Sequence, residues 1–413
     1  TRLWKPDLKP YERNVELPAN SRPNELGLHR HAGEDILPLE GKHYALKEQP
    51  HSGTFRIQHP AREDAYQPEL NHNGNGAWSH EMDAPLEWPK SKLLRRLGPS
   101  VDAFTERERE HMLRVSGTHE DVLRRMHVEG EPTPPLLANT LARFQAYADA
   151  GEVGTQIRRG QLQNDLCGYA ASLMVELPGW PRAKAIEAFE GADLSGHSFQ
   201  YGDIAAPASD VIRVSRAELM AGQLPERVLT FLSEEQIKGL VGQHVAPQRQ
   251  ALTLRDRLAD HADQARARIF QSLSQDREKA GNSRTQLVQR SFSSVPTQLA
   301  SELLEDATPD EQRQMKTTRR LPLRLTQKAR LAQQEVRLAR AYEGLFLGAL
   351  AMPDTESLVL HTLGKLLHSP GDLRIEVRDG SFTAAIRASV GPEDALERKV
   401  LVRTGEGQYE ARD

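Results

Sequence analysis

Cys167 is the one thiol in this chain of 413 residues. Gln161 lies six residues before it, and Gly168 follows at what reads as a helix start. A helix N-terminus stabilises a thiolate, and a glutamine amide nearby can serve an oxyanion, so this spacing suits a cysteine hydrolase or transferase. Against that chemistry, Ala170, Leu173 and Met174 continue an apolar pattern in which Cys167 is a small buried hydrophobe. No histidine stands at a spacing that marks it as the base. Core packing is the stronger reading.

Seven histidines (His29, His31, His43, His51, His59, His72 and His80) crowd the N-terminal part. A metal needs two or more of them to converge with a carboxylate, but their spacings match no zinc signature and most fall on turns or strand ends. They are read as solvated or hydrogen-bonded, and no metal or cofactor is expected. A third constellation is the basic run Lys316, Arg319, Arg320, Arg324, Lys328, Arg330, Arg337 and Arg340, opposed there only by Glu335. Such a face can meet phosphates, acidic protein or an anionic membrane. Without interleaved aromatic residues before Tyr342 it is poorly suited to stacking on bases. A solvated helix face paired with Glu302, Glu305, Asp306 and Asp310 is the favoured reading. The chain carries no Walker loop, dinucleotide glycine fingerprint or nucleophile elbow.

The bulk composition narrows the classes. A net charge of -4 argues against a chain-wide binder of nucleic acid or membrane, and 38% hydrophobic residues with 27% charged ones describe a globular chain. A single cysteine excludes an internal disulfide and any zinc site built on several thiolates. No apolar run reaches the ~18 residues of a membrane span, and no secretory signal pattern opens the chain. The chain begins at Thr1 and stops at Asp413 within strand-like sequence, so it is expected to be part of a longer protein.

The elements that must position these residues follow from periodicity. Residues 1–89 predict a β-meander: Lys42 to Lys47 and Thr54 to Gln58 alternate, with Tyr44, Leu46, Phe55 and Ile57 facing inward. Pro50 to Gly53 and Asn73 to Gly76 supply turns, and Trp78 and Trp88 cap the sheet. Residues 90–160 predict a module of short helices, with a capping box at Thr105 to Glu108, a terminating Gly117, and caps at Thr118 and Thr133. Residues 161–245 predict an α+β unit: a helix over Leu166 to Val175, strands over Ala185 to Phe189 and Val211 to Val214 around a polar loop (191–209), and a capping box at Ser233 to Gln236. Residues 246–352 predict a long helical hairpin or bundle on two stripes. One is Leu254, Leu258, Ala262, Ala265, Ile269 and Leu273; the other is Leu325, Ala329, Ala332, Val336, Ala339, Tyr342, Phe346 and Leu350. Residues 353–413 predict a helix (Glu356 to Leu367), strands over Arg374 to Arg378, Ser381 to Arg387 and Val400 to Arg403, and turns at Asp379-Gly380 and Gly405 to Gly407.

Two of these segments are related. Shifting the numbering by 189 places Leu177, Pro181, Ile186, Glu187, Glu190 and Gly191 on Leu366, Pro370, Ile375, Glu376, Asp379 and Gly380. The order of helix, Pro-Gly and strands therefore recurs, with the second copy truncated. The class is α+β and predominantly helical.

Several stretches resemble the interior of the large secreted toxins and effectors of Gram-negative bacteria described as dermonecrotic-toxin-like. They are Tyr11 to Pro18, Phe55 to Pro60, His72 to Trp78, Leu177 to Pro181, Leu338 to Leu345 and Arg374 to Gly380. Some members of that group carry leucine-rich repeats and a C-terminal NEL-type E3 ubiquitin ligase domain. The resemblance implies a secreted scaffold or interaction region without chemistry of its own, joining an N-terminal toxin segment to C-terminal effector domains and meeting host or bacterial proteins. Nothing around Cys167 matches the Cys-Glu-Asp context of the ligase nucleophile, so that role is not carried over. Two alternatives stand beside it: a cysteine hydrolase or transferase centred on Cys167, and docking to membrane or nucleic acid through the basic face 316–340.

Overall fold

The computed structural model describes residues 7–19, 21–363 and 373–412. The chain divides into two compact units, one of Thr1–Gln145 with Arg277–Asp413 and the other of Ala146–Asp276.

The first unit opens with a six-stranded antiparallel meander: β1 (His29–His31), β2 (Glu34–Leu39), β3 (Lys42–Glu48), β4 (Phe55–Ile57), β5 (Glu69–His72) and β6 (Trp78–His80), in that spatial order. Side chains alternate across a strand, and Tyr44, Leu46, Phe55 and Ile57 meet Leu37, Leu70 and Trp78 in one core, as the pattern predicts. Helices α1 (Lys90–Arg95), α2 (Glu106–Ser116), α3 (Glu120–Glu129) and α4 (Pro135–Arg159) follow. The reciprocal cap of Thr105 and Glu108 is present, and Gly117 closes α2 with φ 65°. Two expected caps are not caps. The Thr118 hydroxyl lies 2.8 Å from that of Ser116, and His119 precedes α3 without a side-chain bond. Thr133 accepts from the Asn73 amide (3.1 Å) and donates its N–H to Asn75 (3.0 Å), fastening the start of α4 to the β5–β6 turn. The module of short helices becomes three short helices and a 25-residue one.

His127 on α3 is buried, its Nε2 lying 2.8 Å from the Leu93 carbonyl oxygen. Burial pushes its pKa down to about 4, so the folded protein binds fewer protons there than the unfolded chain. Stability from this group is complete above the unfolded value of about 6.5 and is lost as pH falls towards 4, costing about 2 kcal/mol between pH 7 and pH 5. Urea denaturation at the two pH values, on the parent and on His127→Gln, checks this. The variant should lose less stability on acidification, and an equal loss in both would refute it.

The unit 146–276 contains the second half of α4, then α5 (Gly168–Met174), β7 (Ala185–Phe189), β8 (Ser198–Gly202), β9 (Val211–Ser215), α6 (Arg216–Met220), α7 (Leu224–Phe231), α8 (Glu234–Val241), α9 (Gln250–Gln264) and all but the last residue of α10 (Arg266–Arg277). The sheet order is β8-β7-β9, with β7 antiparallel to β8 and parallel to β9. Strand β8 lies inside the expected polar loop (191–209). It is an edge strand with no buried side chain, and its alternation is confined to Phe199 and Tyr201 within an otherwise polar, turn-rich stretch. The Ser233 capping box forms as expected. The first long stripe is shared by α9 and α10, which a turn at Ala265 separates, and α9 lies against α5, α7 and α8.

The first unit resumes with α11 (Ser283–Ser291), α12 (Thr297–Leu304), α13 (Pro309–Thr318), α14 (Leu323–Phe346) and α15 (Pro353–Ser357), then a π-helical turn at Leu358–Leu363. Asn282 caps α11: its side chain accepts from the N–H groups of Arg284 and Thr285. The second stripe follows α14: Leu325 and Ala329 join Val288, Phe292, Ala300, Leu304 and Met315 in one core, whereas Tyr342 and Phe346 pack against another with Ile375, Val377 and Leu401. The bundle expected over 246–352 is thus divided between the two units. The last sheet has the order β11-β10-β12-β13, with β10 (Leu373–Asp379), β11 (Ile386–Val390), β12 (Glu397–Gly405) and β13 (Gln408–Arg412). The strand expected at Ser381 to Arg387 starts later. Asp379-Gly380 opens a longer loop, in which the Ala384 carbonyl accepts from Arg378 (2.8 Å).

The duplication read from the sequence extends to strand order and register. In each copy the first strand lies between an antiparallel hairpin partner and a parallel third strand. Adding 189 carries the pairs Ile186–Tyr201, Glu187–Gln200 and Ala188–Phe199 onto Ile375–Val390, Glu376–Ser389 and Val377–Ala388, all three observed. Gly202 and Gly391 correspond too, at φ +92° and +97°. A Cβ on either would crowd the opposing strand start, 3.3 Å from Ala185 Cα in one copy and 3.0 Å from Arg374 Cα in the other. The parallel pairing differs by two residues, Ile186–Ile212 against Ile375–Lys399. A two-residue slip keeps every side chain on its face. The counterparts Leu366 and Pro370, and the end of the helix expected to reach Leu367, lie outside the described residues.

Candidate functional site

Cys167 lies at the start of α5, 1% exposed, at a cavity of about 130 Å³. The β7–β8 hairpin brings Phe189, Glu190, His197, Ser198, Phe199 and Tyr201 to the same cavity, and Arg216 enters from the start of α6. The Glu190 N–H donates to the His197 carbonyl (3.0 Å), which closes the hairpin beside the thiol. Arg216 is held by the Asn164 backbone and side-chain oxygens at 3.1 and 3.0 Å. The thiol donates to the Asn164 carbonyl (3.2 Å), and burial pushes its pKa up, against the opposing charge of Arg216. A thiol in that state is a poor nucleophile. Gln161 does not line the cavity: it is exposed on the turn after α4, with its backbone N–H on the Gln156 carbonyl (3.2 Å). The expected Cys–Gln pair is therefore not assembled.

The structure supplies instead a histidine that sequence reasoning missed, His197. Its signal was hidden with β8, because only a hairpin over 185–202 brings residue 197 back beside residue 190.

Four of the N-terminal histidines serve local structure. His59 and His72 accept backbone N–H groups of their own turns through Nδ1, at 3.0–3.1 Å. His29 bonds Ser21 (2.8 Å), and burial lowers its pKa. His80 lies 3.2 Å from Asp83, and burial also holds its pKa down. Among the described residues no three His, Cys, Asp or Glu side chains form a metal-binding group.

His80 and Asp83 belong to a joint between the meander and α1, beside a cleft of about 590 Å³. Arg96, 3% exposed, pairs with Asp83 (2.5 Å), donates to the Trp78 carbonyl (2.9 Å) and lies 4.7 Å from the Trp88 ring centroid. Lys42, Lys92 and Arg96 alternate around the cleft with Glu40, Asp83 and Glu87, so it presents no field of one sign.

The basic run does not form a single face. Arg324 pairs with Glu311 (2.6 Å) and Asp306 (3.2 Å), Lys328 with Asp306 (2.7 Å) and Arg337 with Asp354 (2.7 Å). Arg340 turns inward to Asn139 (2.7 Å) and lies 3.8 Å from buried Glu343; burial pulls its pKa down to about 10. Lys316, Arg319, Arg320 and Arg330 are exposed and have no ion pair among the described residues. No helix among the described residues is long and apolar enough to cross a membrane. Comparisons with family models, curated proteins and solved structures find no match for this chain.

Proposed function

We propose that this chain is a non-catalytic scaffold and interaction region of a large secreted bacterial toxin or effector. It would link an N-terminal toxin segment to C-terminal effector domains, an E3 ubiquitin ligase among them. The observation that carries the non-catalytic part is the state of Cys167: buried, donating to a carbonyl, and shifted away from the thiolate. The resemblance of six stretches to the interior of dermonecrotic-toxin-like proteins supports the context.

Alkylation tests the reading. At pH 7.5, iodoacetamide should modify Cys167 in the folded chain at least tenfold more slowly than in urea, because the thiolate is the reacting form. A second reading, a cysteine hydrolase or transferase, rests on His197 and Arg216 sharing the cavity with the thiol. It requires the opposite result: folded Cys167 reacting faster than the unfolded thiol, with the enhancement lost in His197→Ala. Turnover of a host protein or of ubiquitin by the isolated chain would overturn the first reading directly.

A further inference from the structure

Helix α14 has two apolar faces. One is buried through Leu325, Ala329, Ala332, Val336 and Ala339. On the opposite side Leu323, Leu331 and Leu338 are 75%, 62% and 42% exposed. They are eight and seven residues apart, about two turns each, and at 3.6 residues per turn they fall within a sector of about 80°. Exposed Gln327 and Gln334 fill the positions between them, and unpaired Arg330 flanks the row. Lys316, Arg319 and Arg320 continue the positive charge just before the helix, with Glu335 the one acid on its exposed side.

We propose that this leucine row is a docking seam for an acidic amphipathic helix of a partner protein. The spacing selects a helix, because apolar residues repeating every seven or eight positions keep a straight seam against a second helix. The width argues against a lipid surface. A membrane-lying helix needs a broad apolar face, whereas this narrow row, with Gln327 and Gln334 between its leucines, suits the edge of a second helix. The charge selects the partner: four cations without ion pairs among the described residues repel a second copy of this chain and favour glutamate or aspartate beside the partner's leucines. The proposal rests on the scaffold reading and names the kind of partner that such a scaffold would take.

Fluorescence anisotropy with the full chain tests it. The probe is a labelled 28-residue designed peptide with leucine at the a and d heptad positions and glutamate at e and g. A peptide with lysine at e and g, phosphatidylserine vesicles and duplex DNA are the competing probes. The glutamate peptide should bind at least tenfold tighter than the lysine peptide. Leu331→Glu should weaken it at least thirtyfold, and Arg330→Glu at least fivefold. Both residues are exposed, and an unchanged thermal midpoint confirms that the variants are folded. Absent or equal binding of the two peptides, or equal binding to Leu331→Glu, overturns the proposal. Leu331-dependent binding of vesicles or DNA in place of the peptide also overturns it. Cysteine reactivity is unaffected by any of these outcomes, so failure here is distinguishable from failure of the scaffold reading.

Discussion

Gly179→Ala should destabilise the unit 146–276 by about 3–4 kcal/mol, a large loss for one methyl group. Gly179 follows Pro178 in the turn that ends α5 and leads to β7, and it holds φ +90°. A left-handed residue with a Cβ costs about 1–2 kcal/mol by itself. The rest of the loss comes from contact. The turn rests on the backbone of α8, so a Cβ at Gly179 would fall on the Gly239 carbonyl oxygen, with the carbonyl carbon 2.7 Å and Leu240 Cα 3.3 Å away. Neither atom is the end of a flexible side chain, so the turn and α8 must separate. Trp180, 8% exposed and donating to the Lys184 carbonyl at 3.1 Å, would be displaced with it. Arg182→Ala, exposed in the same segment, is the control and should change stability by less than about 0.5 kcal/mol. Hydrogen exchange read by mass spectrometry follows this unit by itself. Unchanged protection of the α8 amides in Gly179→Ala would refute the account.

That turn also shows which features a sequence exposes. Pro178-Gly179 was readable as the end of a helix because proline and glycine act on the local backbone. The caps at Thr105 and Ser233 were readable for the same reason: hydroxyl, carboxyl or amide, and backbone N–H lie within one helical turn. Thr118 and Thr133 have the same chemistry, yet Thr133 is occupied by Asn73 and Asn75, some sixty residues away in the chain. No local pattern reports a partner that far off. Strand β7 was legible because it is apolar and central, whereas β8, its edge neighbour, was not. The candidate site suffered most from that loss. His197 comes near Cys167 only through a hairpin whose second strand lacks a buried side chain, while Gln161, close in sequence, faces solvent. The duplication was visible in six residues and is carried further by strand register, which tolerates wide substitution as long as each face keeps its character.

Glu376→Ala should destabilise the first unit by about 3–5 kcal/mol, the usual cost of removing one member of a buried ion pair. Glu376 lies in the middle of β10 and is 1% exposed. Arg374 reaches one carboxylate oxygen at 3.1 Å, Arg378 the other at 2.6 Å, and Arg398 approaches to 3.6 Å. Its counterpart in the other copy, Glu187, is half-buried, accepts from the Ser198 hydroxyl at 2.7 Å and lies 3.9 Å from Arg213, so the charge cluster is particular to the second copy. The arginines also hold the Ala384 and Gly391 carbonyls, so the loop before β11 and the turn that ends β11 should loosen in the same variant. Arg378 above all holds the Glu376 carboxyl below the usual carboxylate range. The sign follows: the stabilisation is complete above the unfolded value of about 4.3–4.5 and is lost as pH falls through the lower folded value, so Glu376→Ala should flatten the acid limb of the stability curve. The triple variant Arg374→Met/Glu376→Leu/Arg378→Met separates charge balance from a need for the ions themselves. Removing all three leaves no buried charge unpaired, and apolar replacements of such clusters retain stability. Urea denaturation should therefore place the triple variant well above Glu376→Ala, and a triple variant as weak as the single one would show that the arginine contacts to the loop carbonyls carry the stability.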